Sequence, residues 1–493
     1  MAEEFRKCTP EEAGLPSLAA CNFIERLRVE GIEAHSFMII RHGKLCAEGW
    51  WKPYAPEIPH PVFSFSKALV ATAIGFCVQE KLLNVDDRLV DIFTSPENAQ
   101  EKLSRVTVRH LLTMSCGHAA DPMLATGMRI DENWLEQFLL HPVEYEPGTV
   151  FQYNTAGTNI LAAVIRAKAG QNFLDYLRPR LLEPLGMTGA YCHTLPDGTQ
   201  YGGAGCMLTT GDMARFLLFL LNKGAWNDEQ LLDSAWIEDM SKKQIETVGG
   251  IYNGKGDWGE GYGYKLWRCS RFGAFRADGA VGQFGIVLPD HDAVVAITAA
   301  TENTQALLEC VWDCLVSEMV DTLPENPEAF YRMKIMTESL MVAYLPVRRV
   351  PSAEKELIGR SFAPKLEQQG LPGFFGGFSM GALLEKSGLE RIEFEFSERL
   401  LKLRFSQQDG AQELTIGLCG NFEYSSAGKY TYAAVGGWRS ASVFETEIRN
   451  LTSASGIRLL FAFEKDELKV IKEPTIFAGM RASETQEFAV KQL

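Results

Sequence analysis

The chain has 493 residues, more than the roughly 250–300 at which a single core stops growing, so two domains are expected. Its 46% hydrophobic and 23% charged content is that of a water-soluble globular protein. A net charge of -15 argues against nucleic acid or an anionic membrane as the main partner.

The opening segment, MAEEFRKCTPEEAG, lacks the apolar stretch of a signal peptide. No run of about 18 apolar residues predicts a membrane span. The eleven cysteines are scattered without paired spacing and read as reduced thiols, so a cytoplasmic location is expected. HSFMIIRHGKLCAEGWW (35–51) predicts a hairpin turning at His42–Lys44. PVFSFSKALVATAIGF (61–76) opens an apolar helix expected to run to about Leu83. Residues 85–195 are mostly helical in pattern, with turns at Pro96, Gly117 and Pro147-Gly148. LTTGDMARFLLFLLNKG predicts a helix capped by Thr210 and stopped at Gly224. FGAFRADG and QFGIVLPDHDAVVAITAA read as antiparallel strands, followed by the helix TQALLECVWDCLVSEMV. This order implies an α/β layer with an antiparallel sheet plus an all-α lobe. NPEAFYRMKIMTESLMVAYLPV reads as a helical connector. Beyond it, RIEFEFS, LLKLRFS, ELTIGL, KYTYAAV and RLLFAFE alternate as strands of an all-β domain. The expected organisation is 1–325, with a helical lobe at about 85–195, then a connector at 326–350 and a β-domain at 351–493.

The chemistry centres on Lys67, a single ammonium in an apolar run. On a helix, Ser64 and Lys67 lie on one face, one turn apart. A serine hydroxyl is a poor nucleophile until a base takes its proton. Lysine can be that base if its pKa falls from about 10.4 to near 7, a change of about 4–5 kcal/mol. Burial and the positive end of a helix dipole both push that way. The bland alternative has Ser64 capping the helix and Lys67 reaching out to solvent. Ser-x-x-Lys occurs three times, at Ser64/Lys67, Ser352/Lys355 and Ser426/Lys429, but only Ser64 opens an apolar helix.

Competing motifs are weaker. GFSMG (377–381) matches a Gly-x-Ser-x-Gly elbow, yet that arrangement needs a histidine downstream and the last is His291. GKGDWG (254–259) lacks the flanking strand and helix of a dinucleotide site. PDHD (289–292) reads as a hairpin tip. No motif calls for a metal or a cofactor.

Four ordered segments within about residues 1–320 resemble the serine β-lactamase and penicillin-binding-protein superfamily. The nearest likeness is to its class C β-lactamase-like hydrolases, on the esterase and 6-aminohexanoate-dimer-hydrolase-like branch. The segments are Ser64-Phe65-Ser66-Lys67, TVRHLLTMSCGH (107–118), EPGTVFQYNTAG (146–157) and GGAGCMLTTGDMARF (202–216). The resemblance implies Ser64 as nucleophile, with Lys67 and Tyr153 sharing its proton and Lys67 lowering the phenol's pKa. It implies the backbone N–H groups of Ser64 and Ala280 as oxyanion donors, with Thr155, Gly279 and Gln283 in the substrate site. The family's third motif, Lys-Thr-Gly or His-x-Gly, is Ala277-Asp278-Gly279 here. The missing cation implies weak β-lactamase activity and a small neutral or cationic ester or amide as substrate. Transfer of the acyl group to an alcohol, or a non-catalytic binding role, are the alternatives. His60 is a further candidate neighbour of the site, and His110 and His118 are expected to be structural.

Overall fold

A computed structural model describes residues 4–492 except 126–132, 272, 345–347, 365–388, 408–409, 428–429, 453–454, 465–466 and 475–485. The Gly377–Gly381 motif lies outside the described residues. The chain forms two compact units, Met1–Gly49 with Pro61–Ser339, and Trp50–His60 with Leu340–Leu493.

The first unit is built on an antiparallel sheet. Its strands are β1 (Ala34–Arg41), β2 (Lys44–Trp50), β3 (Trp267–Arg268), β4 (Phe275–Gly279), β5 (Gln283–Leu288) and β6 (Ala293–Ala299), in the order β2-β1-β6-β5-β4-β3. β1 and β2 form the hairpin read from the sequence. Every residue of β1, β5 and β6 is buried. Such strands are apolar on both faces, as AVVAITA is, because helices cover the sheet on both sides. Helix α1 (Ser17–Val29) packs with α6 (Thr304–Cys314) and α7 (Pro327–Glu338), while α5 (Thr210–Leu221) packs on β1, β5 and β6. The cap of α5 is Thr209, in a reciprocal capping box with Asp212, one residue before the expected Thr210.

Helix α2 (Ser66–Gln79) is buried from Ser66 through Cys77. An apolar helix without a polar face must be enclosed, and the sheet and α4 (Thr155–Ala169) enclose it. Each fully buried Leu, Val, Ile or Phe of α2 contributes about 1.5–3 kcal/mol. The helix ends at Gln79, not Leu83: Lys81 takes a left-handed φ of 59° and Leu82 N–H returns to Cys77 O at 2.8 Å. The lobe contributes the short α3 (Val108–Leu112), capped by Thr107, and α4, capped by Asn154.

The second unit is all-β. Among the described residues, ten strands between Ser361 and Gln492 form one sheet, and Gly417 pairs with Val435 to close it on itself. Alternation sets the inside: Leu401, Leu403 and Phe405 point to the core, while Lys402 and Arg404 pair with Glu413 outside. Trp50–His60 belongs to this unit, which no local signal in the sequence marks. Lys52 N–H donates to Leu340 O at 3.0 Å, Tyr424 OH donates to Pro53 O at 2.9 Å, and Tyr54 packs with Val342, Phe422 and Leu451. His60 packs on Tyr54 with ring centroids 5.7 Å apart and the rings tilted by 48°.

Candidate active site

Ser64 sits in the middle of a single 3₁₀ turn, Phe63–Phe65, that feeds directly into α2. Phe63 takes a left-handed φ of 45°, a conformation that costs a non-glycine residue about 1–3 kcal/mol. Its buried ring holds it there. Ser64 makes no helix cap. The stapling falls to Ser66, whose Oγ donates to Phe63 O at 2.6 Å and accepts from Cys206 N–H at 3.0 Å.

Lys67 does not reach solvent; it is 1% exposed. Its Nζ donates to Ser64 Oγ at 2.8 Å and to Gly203 O at 2.6 Å. Burial pushes its amine down to about 7, against the opposing pull of the Asp121 and Asp278 carboxylates. The capping-and-snorkelling alternative is therefore excluded. Gly203 can approach this closely because it has no Cβ; one there would lie 2.6 Å from Thr155 Cγ2. Its N–H donates to Asn159 Oδ1 at 2.9 Å.

Tyr153 joins the pair. The Lys67 nitrogen lies 5.1 Å from the ring centroid, and Ser64 draws the phenol's pKa down. The indole of Trp267 stacks on the ring at 5.8 Å and 13°, within a cluster of Phe151, Tyr252 and Tyr262. This apolar wall pushes the phenol above its usual range, and the Ser64 contact offsets only part of that. The sequence expectation that Lys67 lowers the phenol's pKa is thus not met, because desolvation is the larger effect. Of the aromatics in the GYGYKLW stretch (261–267), Tyr262 and Trp267 join this cluster. Tyr264 instead accepts a hydrogen bond from Arg109 at 2.6 Å and packs on Trp236.

β4 ends against the Ser64 turn. A Cβ on Gly279 would lie 2.2 Å from Val62 O, so glycine is required for the strand to come this close. Ala280, itself exposed, follows in a turn through the buried Val281 and Gly282, both at positive φ. Ala277 is buried on the same strand. Asp278 carries the acid read from the sequence, but it is not a lone charge. Arg276 Nε donates to its Oδ2 at 3.0 Å, and the fully buried guanidinium lies 4.6 Å from the Trp258 ring centroid. Burial raises the Asp278 carboxyl, and Arg276 and Lys67 draw it back.

One predicted site residue is committed elsewhere. Gln283 is fully buried, and its amide nitrogen donates to Ala280 O at 3.1 Å and Ala299 O at 2.7 Å, clamping the strand ends. Thr155 opens α4, and its N–H donates to Asp121 Oδ2 at 2.6 Å. His118 is structural, its Nδ1 hydrogen-bonded with the Asn154 amide at 2.9 Å, and His110 completes the Thr107 capping box.

Sequence reasoning missed Asp121. It is buried at the start of α4, where it accepts also from Ala156 N–H at 3.3 Å, and its charge opposes the fall of the Lys67 and Lys265 amines. Its only signal is a lone acid in the apolar CGHAADPM stretch.

The Beta-lactamase family model matches residues 22–309, more than half of the chain, and the chain belongs to that family. Penicillin-binding protein 4 of Amycolatopsis lactamdurans is 26% identical over 271 residues, covering 48% of this chain and 70% of that protein. The 6-aminohexanoate-dimer hydrolase of Paenarthrobacter ureafaciens is 23% identical over 231 residues, covering 43% and 58%. The crystal structure of a family VIII carboxylesterase aligns with a TM-score of 0.50 at 17% identity, over 63% of this chain and 99% of that one. The chain spans about half, 51%, of the length of the first curated relatives it matches. The resemblance read from four sequence segments is borne out at the level of family and fold. Among the described residues, no helix is long and apolar enough to cross a membrane.

Proposed function

We propose that the protein is a serine hydrolase that cleaves a small ester or amide through an acyl-enzyme. The observation that carries this reading is the 2.8 Å hydrogen bond from Lys67 Nζ to Ser64 Oγ, made by a buried amine with a pKa of about 7. A base poised near the working pH is what a serine nucleophile needs. Ser64 Oγ attacks the acyl carbonyl carbon, and its proton passes to Lys67 Nζ. The oxyanion is held by the backbone N–H groups of Ser64 and Ala280. As the carbonyl re-forms, the bond to the alcohol or amine breaks. The leaving group takes a proton through Tyr153, which stays a phenol and relays it from Lys67. Water then attacks the acyl-enzyme by the same steps in reverse, releasing the acid and restoring Ser64.

Thr155 and Gly279 border this site, and Gln283 supports it by holding Ala280 in its turn. A third motif without its own cation supports weak turnover of β-lactams. The Trp267 face stacked on Tyr153 supports a second reading, in which an alcohol intercepts the acyl-enzyme. The experiment is intact-mass analysis after incubation with a fluorophosphonate. One adduct on Ser64, absent in Ser64→Ala with the fold retained, is expected. No adduct, or one on another serine, refutes the hydrolase reading and favours a binding module. Ester product formed in the presence of an added alcohol separates transfer from hydrolysis.

A further inference from the structure

Lys67 Nζ touches two oxygens of different kinds. Ser64 Oγ, at 2.8 Å, belongs to a hydroxyl, which donates or accepts; Gly203 O, at 2.6 Å, belongs to a carbonyl, which only accepts. The carbonyl therefore always takes an N–H of the amine. Fixing that N–H limits rotation of the uncharged amine, so its lone pair can settle on the Ser64 hydroxyl and receive its proton. Whatever holds Gly203 O in place thus decides how well Lys67 is aimed as a base.

Gly203 lies in a tight turn, Tyr201–Ala204, closed by Ala204 N–H to Tyr201 O at 3.3 Å. The turn rests on one face of α4. Residues three and four apart on a helix share a face, and Thr155, Thr158, Asn159 and Ala162 are so spaced. A Cβ on Gly203 would lie 2.6 Å from Thr155 Cγ2, and one on Gly202 would lie 3.0 Å from Ala162 Cβ and 3.3 Å from Thr158 O. From α2, Val70 Cγ2 comes within 2.9 Å of that same Gly202 position. Two glycines in succession leave the central peptide of such a turn free to flip, because glycine takes either sign of φ. A hydrogen bond pins it: Gly203 N–H donates to Asn159 Oδ1 at 2.9 Å. Asn159 is 1% exposed, and among the described residues its Nδ2 meets the Met123 sulfur at 3.9 Å, a weak contact. A buried side-chain amide is costly unless hydrogen-bonded, and the strong bond that Asn159 makes is the one to Gly203.

We infer that Asn159 is a positioning residue for the hydrolase reaction proposed above: it pins the Gly202–Gly203 turn against α4 and so holds the Gly203 carbonyl where it aims the Lys67 amine at Ser64. The relay has three contacts, Asn159 Oδ1 to Gly203 N–H, Gly203 O to Lys67 Nζ and Lys67 Nζ to Ser64 Oγ, at 2.9, 2.6 and 2.8 Å. Asn159 acts through the backbone of Gly203.

The test separates aim from packing. Asn159→Leu keeps the bulk of the side chain and removes the acceptor. Its rate of fluorophosphonate addition to Ser64 and its kcat on a small ester are measured at pH 9, above the titration of Lys67. Both are expected to fall about 10- to 100-fold, since a misplacement approaching 1 Å costs up to about 100-fold, while KM stays within about two-fold. Asn159→Asp, whose carboxylate still accepts from Gly203 N–H, is expected to keep at least about half of the wild-type rate. A residue serving packing alone would lower Tm without this split between kcat and KM and without rescue by Asp. A crystal structure of Asn159→Leu should show Gly203 O beyond about 3.5 Å from Lys67 Nζ, outside hydrogen-bond range. If the Leu variant does not fold, Asn159→Ala, which also lacks the acceptor, is measured in its place. A folded Leu or Ala variant with wild-type rates, or with Gly203 O still in contact with Lys67, overturns the inference, as does an Asp variant as slow as Leu. If wild type forms no Ser64 adduct, the hydrolase reading falls, and the Gly203 O to Lys67 Nζ distance in the variant still decides whether Asn159 holds the carbonyl.

Discussion

Replacing Lys67 with methionine tests the site through stability and rate at once. The lysine's fall from 10.5 to about 7 corresponds to about 4–5 kcal/mol against the charged form. The sign follows from proton counting. Between about pH 7 and 10.5 the unfolded chain holds a proton on this lysine that the folded chain lacks. Stability therefore rises with pH across that window, by up to about 1.4 kcal/mol per pH unit. Methionine removes the term. It also leaves Gly203 O, a buried acceptor, without its donor, at a cost of about 1–3 kcal/mol, while the half-buried Ser64 can be rehydrated. The variant should then be more stable than wild type by about 1–4 kcal/mol at pH 7, with the gap closing and changing sign as pH approaches 10.5. Urea unfolding of both proteins at pH 7, 8.5 and 10, followed by a probe in the first unit, measures it. Activity should move the opposite way, with ester hydrolysis at least about 100-fold slower, the lower range for a lost general base. The wild-type rate should rise with pH to a plateau just above 7. A stability gap that does not change with pH, or a wild-type rate flat from pH 5.5 to 8.5, would show Lys67 to be charged and refute the reasoning.

Further outcomes follow from the same geometry. Tyr153→Phe removes the hydroxyl proposed to relay the leaving-group proton and should slow ester turnover at least about 100-fold while keeping substrate binding; a near-normal kcat would remove Tyr153 from the mechanism. Gly279→Ala places a Cβ 2.2 Å from Val62 O, so β4 must retreat from the Ser64 turn. Acylation should fall steeply with a lower Tm, and an active, equally stable variant would contradict the close approach. Asp278→Asn releases the Arg276 guanidinium from its partner. The preference between matched esters with and without a terminal carboxylate should shift toward the carboxylate by about ten-fold or more. An unchanged ratio would mean that the Arg276–Asp278 pair does not face substrate.

Local pattern carried much of this protein. The hairpin at 34–50, the apolar helix after Ser64 and the alternating strands of the C-terminal unit follow from side-chain periodicity, which neighbours in sequence alone impose. The Ser64–Lys67 pair was legible for the same reason, since two residues one turn apart share a helix face wherever the helix lies. What periodicity cannot encode is what surrounds a side chain. Whether Lys67 would snorkel or be enclosed depended on Gly203, 136 positions away, and only enclosure brings its amine near neutrality. Asp121 comes from a loop with no repeating pattern, and its hydrogen bonds to the start of α4 exist only in the folded chain. The acid at Asp278 was visible, and Arg276 two residues before it shares its strand face, but only the seated strand shows that this face is buried and that the two pair. Gln283 looked like a site residue and became a backbone clamp when β5 and β6 paired. The segment Trp50–His60 went to the second unit through hydrogen bonds to Leu340 and Tyr424. The sequence alone determined which residues could do chemistry and which elements would carry them. The tertiary structure decided their charge states, because pKa is set by the solvent and charges that a fold removes or brings close.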